Sequence, residues 1–259
     1  MTFDIIIPHY GSSDRLTELC RRCLETIREH STNYRLIFVD NGSPQFDDIS
    51  EELARHPHLL IRNRENIGFV KATNEGLWAS RAQFVVLMNN DTEAVPGWLD
   101  KLRAPLTGDV GLSGPHTTTR LSWQGSRPQG KGIEILNPGS MLAFFCVMIR
   151  RDVLDKCGVL DEEFGVGFAD DDHFCWKAQQ AGFRLAYVSD LTIPHHHRST
   201  FKSLYSPDSI VDQQWENYAI YWRKRAPSMT KDEIQRVLNS RQMRGSVVSV
   251  LQEALAARG

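Results

Sequence analysis

A carboxylate that follows a buried strand is the first candidate for chemistry. Residues 85–88 are apolar and partly β-branched, which predicts a strand buried on both faces, and two asparagines and Asp91 follow at once. Ligands of open α/β sheets bind beyond the carboxyl ends of the strands, so Asp91 should reach a binding crevice. There it could hold a divalent cation against a phosphate. Alternatively, Asp91 and Thr92 begin a turn and cap the helix expected near Trp98.

A second acidic group, Asp170, Asp171 and Asp172, opens a helical pattern that ends at Gly182. Carboxylates interact favourably with the free amides at the start of a helix. Crowding with like charges raises the pKa of a carboxylate, which improves it as a general base. The alternative is an ordinary acidic beginning of an amphipathic helix.

Three consecutive histidines, His195, His196 and His197, follow a strand predicted at residues 184–188. Imidazole titrates near neutral pH, so its neutral form is available there as a metal ligand. We expect one ligand from this run rather than three, and the sequence does not distinguish among them. A polar cluster that faces solvent is the alternative.

The elements that must position these groups alternate as strand and helix. A helix is predicted at residues 13–29, and a second begins near Gly68 and carries Ala72, Asn74 and Leu77. Strands are predicted at residues 4–7, 36–39, 59–61 and 85–88. This order implies right-handed crossovers and a mostly parallel sheet. The strand ends would bring one polar rim together, formed by Pro8 to Tyr10, Asp40 and Asn41, Asn66 to Lys71, and Asn89 to Asp91.

The loop before the second helix suits a diphosphate. Gly68 permits a close approach of the backbone, and Lys71 adds a cation in the first helical turn. A loop glycine and a solvated lysine are the alternatives.

Composition narrows the class of protein. The 259 residues can form one large α/β domain or two small ones, and the five scattered cysteines are typical of reduced thiols. A formal net charge of −2 without a long basic run gives no reason to expect nucleic-acid binding. We expect a cytoplasmic protein, because the sequence has neither a membrane-spanning apolar stretch nor the basic start of a secretory signal.

The pattern changes in the second half of the chain. Residues 114–139 are rich in Pro, Gly, Ser and Thr, which predicts a mobile flap. From Pro207 onward the chain is predicted to be helical, including residues 231–238 and 247–257. Aromatic residues at helical spacing in this region favour packing over a sugar-binding platform.

Six motifs occur in a fixed order: residues 5–8 with Tyr10, 38–43, 64–69 with Asn74, 87–92, 158–164, and the acidic helix start closed by residues 181–183. Over roughly residues 3–200 this set resembles the family 2 glycosyltransferases, in particular the bacterial rhamnosyltransferase-like and galactofuranosyltransferase-like branch. The resemblance implies an α/β GT-A fold, with a mostly parallel, Rossmann-like sheet flanked by helices and followed by C-terminal helices.

The resemblance also implies a domain division. Residues 1–204 would form the GT-A domain, with a nucleotide-sugar-binding half at 1–115 and an acceptor and catalytic half at 116–204. Residues 205–259 would form a helical extension.

Individual roles follow from the same resemblance. Asp91 matches the last acid of the family's DxD metal motif, with amides in place of the first acid, and His195 matches a histidine that the resemblance implies as a metal ligand. Asp170 and Asp171 align with the acidic pair that supplies the catalytic base. Asp172 stays a candidate, because His173 stands where a further acid is usual. The donor-binding residues expected are Pro8, Tyr10, Asp40, Asn66, Gly68, Lys71, Asn74 and Asn90.

The activity implied is metal-dependent, inverting transfer of a hexosyl or deoxyhexosyl group in cell-surface polysaccharide synthesis. The donor would be a UDP- or dTDP-sugar, the cation Mn²⁺ or Mg²⁺, and the acceptor a glycan or a lipid-linked hydroxyl compound. Such an acceptor could bring the protein to the inner face of the membrane. Phe144 and Phe145 replace a small, glycine-containing segment of the relatives and could narrow the pocket.

Two other functions stay open. A nucleotidyltransferase can use a similar sheet and metal, although residues 8–13 are a poor substitute for its glycine-rich phosphate loop. A non-catalytic sugar-nucleotide-binding module is suggested by His173 and by the missing first acid.

Overall fold

A mixed sheet forms the centre of this computed structural model, which describes residues 2–119, 122–130, 132–196 and 206–238. Within these residues the sheet has eight strands in the order β3-β2-β1-β4-β7-β5-β8-β6. The strands are β1 Phe3–His9, β2 Tyr34–Asp40, β3 His58–Arg62, β4 Phe84–Met88, β5 Val110–Thr117, β6 Ile133–Ile135, β7 Cys146–Arg150 and β8 Arg184–Ile193.

Most of the sheet is parallel. β1 pairs in parallel with β2 and β4, β2 with β3, and β5 with β8, whereas β7 is antiparallel to β4 and β5, and β6 to β8. Six of the eight described strands, β1 to β5 and β8, therefore run in one direction. This arrangement confirms the predicted mostly parallel α/β sheet.

Helices cover both faces of the sheet. The described helices are α1 Asp14–His30, α2 Asp47–Leu53, α3 Phe69–Ala79, α4 Trp98–Arg103, α5 Trp123–Ser126, α6 Arg151–Cys157, α7 Asp170–Gln180, α8 Pro207–Arg225 and α9 Lys231–Leu238, with a 3₁₀ helix at Glu162–Phe164. Ser13 begins α1 by accepting a hydrogen bond from the amide of Leu16. The predicted helix at 13–29 agrees with α1 to within one residue at each end, and the predicted helix start near Gly68 agrees with that of α3.

Alternation along β1 divides the apolar interior into two layers. Ile5 and Ile7 pack in one layer with Ile27 of α1, whereas Ile6 packs in the other with Leu77 of α3 and Phe174 of α7. Both faces of a central strand must be apolar when helices cover both sides. The unbroken run of isoleucines in β1 is explained by this geometry.

One strand prediction and one loop prediction differ from the structure. β1 continues through Pro8, which pairs with Val39, because the pairing of β1 with β4 ends at Ile6 and the missing amide is not needed on that side. Residues 114–139, predicted as a flap, contain the end of β5, α5 and β6. β5 is buried throughout although it contains Gly and Pro, and a Cβ on its Gly111 would lie 2.5 Å from Val153 of α6.

The C-terminal helices pack on the acidic end of the domain. α8 contacts α7 and the 3₁₀ helix, and Tyr221 of α8 is buried in the same apolar layer as Phe174. No described helix is long and apolar enough to cross a membrane. The helix predicted at 247–257, like His197, lies outside the described residues.

Candidate active site

The segments that follow β4 and β8 pair with each other. Thr92 and His195 form an antiparallel bridge, and the amide of His196 donates to the carbonyl oxygen of Asp91 at 2.9 Å. The pairing places His195 Nε2 3.2 Å from Asp91 Oδ1, with side chains only 6% and 5% exposed. Two residues predicted as metal ligands from distant parts of the sequence are therefore adjacent.

This Asp91–His195 pair fits a shared divalent cation. Two neighbouring ligands of an octahedral ion, each about 2.1 Å from it, lie about 3 Å apart. No group of three or more His, Cys, Asp or Glu side chains that could hold a metal occurs in the described part of the chain. A cation here would depend on phosphate oxygens and water for its remaining ligands, as Mg²⁺ commonly does.

The neighbouring histidine faces elsewhere. His196 Nε2 lies 3.1 Å from Glu93 Oε1, and its side chain is 42% exposed. Of the two described histidines in the run, His195 therefore has the position of a ligand beside Asp91.

A linking segment, residues 143–145, joins this pair to the start of α7. The ring of Phe145 stacks on His195, with centroids 5.0 Å apart and planes 12° apart, and its carbonyl oxygen accepts from the amide of Asn89 at 2.8 Å. The amide of Phe144 hydrogen-bonds to the carboxylate of Asp171. Phe145 thus supports the Asp91–His195 pair, and Phe144 supports Asp171 at the start of α7.

The acidic triad, Asp170, Asp171 and Asp172, occupies the first turn of α7. Burial, followed by the charge of Asp171, raises the pKa of Asp170 well above its usual range. Burial raises the pKa of Asp171 to about 6, although the amides of Asp172 and Phe144 bond to its carboxylate and oppose the rise. Burial and the charge of Asp171 raise the pKa of Asp172 to about 7, and Tyr218 donates to Asp172 Oδ2 at 3.1 Å.

His173 does not stand in for a catalytic acid. It is buried between the rings of Phe164 and Trp176, with centroids 5.2 and 5.7 Å away. Burial lowers its pKa to about 4, so the imidazole is neutral near pH 7. Its role is to fill the interior behind the triad.

Asp40 lies at the carboxyl end of β2 with no exposed surface. Its Oδ1 accepts from the amide of Ser43 at 3.1 Å, and its Oδ2 accepts from Arg62 Nε at 3.0 Å. The guanidinium of Arg62 stacks on Phe46, 4.0 Å from the ring centroid. The carboxylate of Asp40, predicted as a donor-binding group, is therefore fixed in direction by its own loop and by one half-exposed arginine.

Amide side chains fasten the loop before α3. Asn41 Nδ2 donates to Asn66 Oδ1 at 2.9 Å, and Asn41 Oδ1 accepts from the amide of Ile67 at 3.0 Å. Asn66 Oδ1 also accepts from the amide of Gly68 at 3.0 Å. This network places the loop beside the end of β2.

The ends of β1 and β4 complete the same rim. Pro8 and Tyr10 flank His9, whose Nδ1 lies 2.8 Å from Asn90 Nδ2. The amide of Asn41 donates to the carbonyl oxygen of His9 at 2.7 Å. Burial lowers the pKa of His9 to about 4, so a neutral imidazole accepts from Asn90.

Contacts within the protein occupy two groups on the predicted donor side. Asn74 is fully buried, and its side chain bonds to both main-chain groups of Leu160, at 2.9 and 3.0 Å, so it holds a loop instead of contacting a donor. At the start of α3 the amide of Val70 donates to the carbonyl oxygen of Gly165, so this one amide is not free to bind a diphosphate. Lys71 lies exposed in the first turn of that helix.

Two structurally important residues, Gln124 and Asn217, were missed, whereas Asn41 was predicted as part of the polar rim. Gln124 anchors the linking segment and Asn217 contacts the turn before α7, but both lie in regions whose position no local pattern determines.

Comparisons with known proteins agree with this architecture. A sequence model described as Glycosyl transferase family 2 matches residues 4–158. A pre-mycofactocin glycosyltransferase of Mycobacterium tuberculosis H37Rv is 25% identical over 223 residues, which cover 76% of this chain and 43% of that protein. An uncharacterised protein of Sinorhizobium fredii is 29% identical over 229 residues, with 76% and 24% covered. The chain spans less than half the length of these relatives.

Solved structures share the fold. A mannosyltransferase from Pyrobaculum calidifontis in complex with GDP-Man and Mn²⁺ gives a TM-score of 0.68 at 17% identity, with 99% of this chain and 75% of that chain covered. TarS 1–349 of S. aureus in complex with UDP-GlcNAc gives 0.65 at 15% identity, with 96% and 73% covered. The sheet and its flanking helices are thus those of GT-A glycosyltransferases, and the family match over more than half of the chain shows that this protein belongs to glycosyl transferase family 2.

Proposed function

We propose that this protein is a metal-dependent, inverting glycosyltransferase that moves a sugar from a nucleotide diphosphate donor to a hydroxyl of a glycan or lipid-linked acceptor. The proposal is carried by the 3.2 Å Asp91–His195 pair, which the linking segment connects to the acidic triad. We extend the proposal to a hexosyl or deoxyhexosyl donor carrying UDP or dTDP, and to a rhamnosyl- or galactofuranosyl-type activity. We also propose a role in cell-surface polysaccharide synthesis. The acceptor would then bring the protein to the inner face of the membrane.

Asp91 and His195 would hold the divalent cation, Mn²⁺ or Mg²⁺. When bound, the ion supplies Lewis-acid stabilisation of the negative charge that develops on the diphosphate leaving group. The adjoining rim, including Asp40, Asn66 and Asn90, would hold the nucleotide. Phe145 keeps the imidazole of His195 oriented by stacking on it.

Asp171 would take the proton of the acceptor hydroxyl as that oxygen attacks C1 of the sugar. Asp170 is buried and favours its protonated form, and Asp172 has one oxygen bonded to Tyr218. Asp171 is bonded by backbone amides, and its pKa of about 6 makes it a stronger base than an ordinary aspartate while leaving it ionised at neutral pH. Direct displacement in one step inverts the anomeric centre.

The reaction type is tested by product analysis with a panel of nucleotide sugars and Mn²⁺. We expect release of a nucleoside diphosphate, and we expect Asp171→Asn to abolish transfer while donor binding is retained. Asp155→Asn, at an exposed position of α6, is the matched control and should keep full activity. Pyrophosphate as the product would indicate a nucleotidyltransferase, and donor binding without any turnover would indicate a binding module.

The metal assignment is tested by manganese binding in the presence of a nucleoside diphosphate. Asp91→Ala and His195→Ala should each weaken binding at least about tenfold, as loss of a ligand or of its support commonly does. His196→Ala is the control, because His196 faces Glu93, and it should bind manganese normally. Equal losses in the two histidine variants, or undiminished transfer in a chelator, would count against the assignment.

A further inference from the structure

The turn that leads into α7 has an unusual backbone conformation. Residues 165–169, here called the left-handed turn, include Gly165, Gly167, Phe168 and Ala169 with φ angles of 55°, 118°, 72° and 60°. Phe168 and Ala169 are not glycines, so their positive φ angles are strained and persist only where the surrounding structure holds them. Ala169 immediately precedes the acidic triad.

One side chain of α8 holds this turn. Asn217 is only 1% exposed, and its Nδ2 donates to the carbonyl oxygens of Phe164 at 2.8 Å, Phe168 at 3.2 Å, and Gly167. Gln213 Nε2 donates to Asn217 Oδ1 at 3.0 Å, which fixes the orientation of the amide. A single amide group therefore satisfies carbonyl oxygens before and within the strained segment.

Two further contacts fasten the same region. The carbonyl oxygen of Gly165 accepts from the amide of Val70 at 3.2 Å, so the other end of the turn is attached to the start of α3. Tyr218, the residue after Asn217, donates to Asp172. With both ends held, the conformation of the turn determines the direction in which α7 begins.

We propose that Asn217 is a positioning residue for glycosyl transfer: it holds the left-handed turn and thereby directs Asp171 toward the acceptor hydroxyl. The inference rests on the proposed function, because it takes Asp171 as the base. It assigns a role in the reaction to α8, which lies outside the residues matched by the family. Asn217 is 1% exposed, so it would act through the turn that it holds and not by binding donor or acceptor.

The first test is a comparison of Asn217→Ala with wild type in the 259-residue chain. We expect kcat to fall about 10- to 100-fold, the range that misplacement of a catalytic group can cause. The KM for the donor should change less than kcat, because the side chain of Asn217 bonds to the turn and to Gln213, and not to Asp40, Asn66 or Asn90. Glu216→Ala, at the exposed neighbouring position, is the matched control and should leave kcat and the melting temperature unchanged.

A second substitution separates positioning from general support. Glycine adopts positive φ without a steric penalty, so Ala169→Gly should restore part of the lost kcat in the Asn217→Ala background. In the wild-type background the same glycine should give no such gain. An Asn217→Ala variant with normal kcat, or one that glycine does not improve, would overturn the proposal.

Hydrogen exchange provides a measurement that needs no activity. The amides of residues 164–172 should exchange faster in Asn217→Ala than in wild type, and those of β1 should not change. Unchanged exchange in the turn would overturn the role of Asn217 even in an active enzyme. A wild-type protein that transfers no sugar, despite a loosened turn in the variant, would instead contradict the proposed function and with it the catalytic part of this inference.

Discussion

At the scale of single residues, burial gives three adjacent aspartates different chemistry. Asp170 is 5% exposed and favours the protonated form, whereas the raised pKa values of Asp171 and Asp172, about 6 and about 7, lie close to neutrality. The sequence predicts that the three acids crowd, but it cannot rank them. The ranking depends on contacts with Phe144 and Tyr218, which are distant along the chain.

The raised pKa values predict the pH dependence of the reaction. A base acts only when ionised, so kcat should fall as the pH drops from about 8 toward 5, with its midpoint near the pKa of about 6 of Asp171. Asp172→Asn should leave that midpoint nearly unchanged, because Asp172, with its pKa of about 7, is mostly protonated where Asp171 titrates. Turnover measured at saturating donor across this range checks the prediction, and a rate that does not change between pH 5 and 8 would contradict it.

The pH dependence of stability that Asp172 contributes should have the opposite sign to that of kcat: stability should fall as the pH rises. An unfolded aspartate ionises near pH 4, whereas folded Asp172 keeps its proton to about pH 7, so folding is progressively disfavoured as the pH rises between these values. Buried His9, His56 and His173, with pKa values of about 4, oppose this trend below pH 6.5. The difference in melting temperature between Asp172→Asn and wild type isolates the aspartate. At pH 8 the variant should melt at a higher temperature than wild type, and at pH 4 the two melting temperatures should be equal.

At the scale of elements, the linking segment depends on one buried side chain of α5. Gln124 has no exposed surface, its Nε2 donates to the carbonyl oxygen of Pro115 at 2.7 Å, and its Oε1 accepts from the amide of Ala143 at 2.7 Å. It thus ties β5 to the segment that supports His195 and Asp171. A helix of one turn in the region predicted as a flap positions the candidate site.

Gln124→Leu should therefore destabilise the protein and weaken manganese binding. The substitution leaves a buried amide and a buried carbonyl without partners, which should lower the free energy of unfolding by about 2–4 kcal/mol. Gln129→Leu is the matched control: Gln129 is exposed and bonds only to Thr192 Oγ1 in the described structure, so its cost should stay within about 0.5 kcal/mol. Denaturant unfolding measures the free energy of unfolding of the two variants, and equal losses would contradict the role assigned to Gln124.

Elements were predictable where local pattern decides them. Apolar runs mark β1, β2 and β4 because helices cover both faces of these strands, and Ser13 marks the start of α1. β5 was missed because its Gly, Ser and Pro residues do not form an apolar run, although neighbouring helices bury it. Asn74 was misassigned because a polar residue that bonds internally looks the same in sequence as one that faces a ligand.

At the scale of the whole molecule, the candidate site depends on contacts between distant parts of the chain. Asp91 and His195 follow different strands, and the triad is oriented by Asn217 and Tyr218 of α8. The resemblance correctly predicted the sheet and the fold, and it placed Asp91 and His195 at one site. It gave no role to α8, because the contacts of that helix with the turn appear only in three dimensions.

The contacts of α8 concern the predicted division of the chain into a domain at residues 1–204 and an extension at 205–259. α8 buries Ile210 and Tyr221, each 6% exposed, and Asn217 satisfies carbonyl oxygens around the left-handed turn. Burial of two such apolar side chains contributes about 3–6 kcal/mol. If α8 is part of the domain and not an extension, residues 1–204 alone should lack this stabilisation.

We therefore expect a 1–204 fragment to melt about 10 °C or more below the full chain, since 1 kcal/mol corresponds to about 2–4 °C in a protein of this size. It should also bind a hydrophobic dye, because removal of α8 uncovers Phe164 and the apolar side of α7. The acidic triad would lose its support from Tyr218 and from Asn217, so transfer should be lost even where donor binding remains. A fragment that unfolds cooperatively at the temperature of the full chain would show instead that the domain ends before α8 and that the helix only rests on a complete fold.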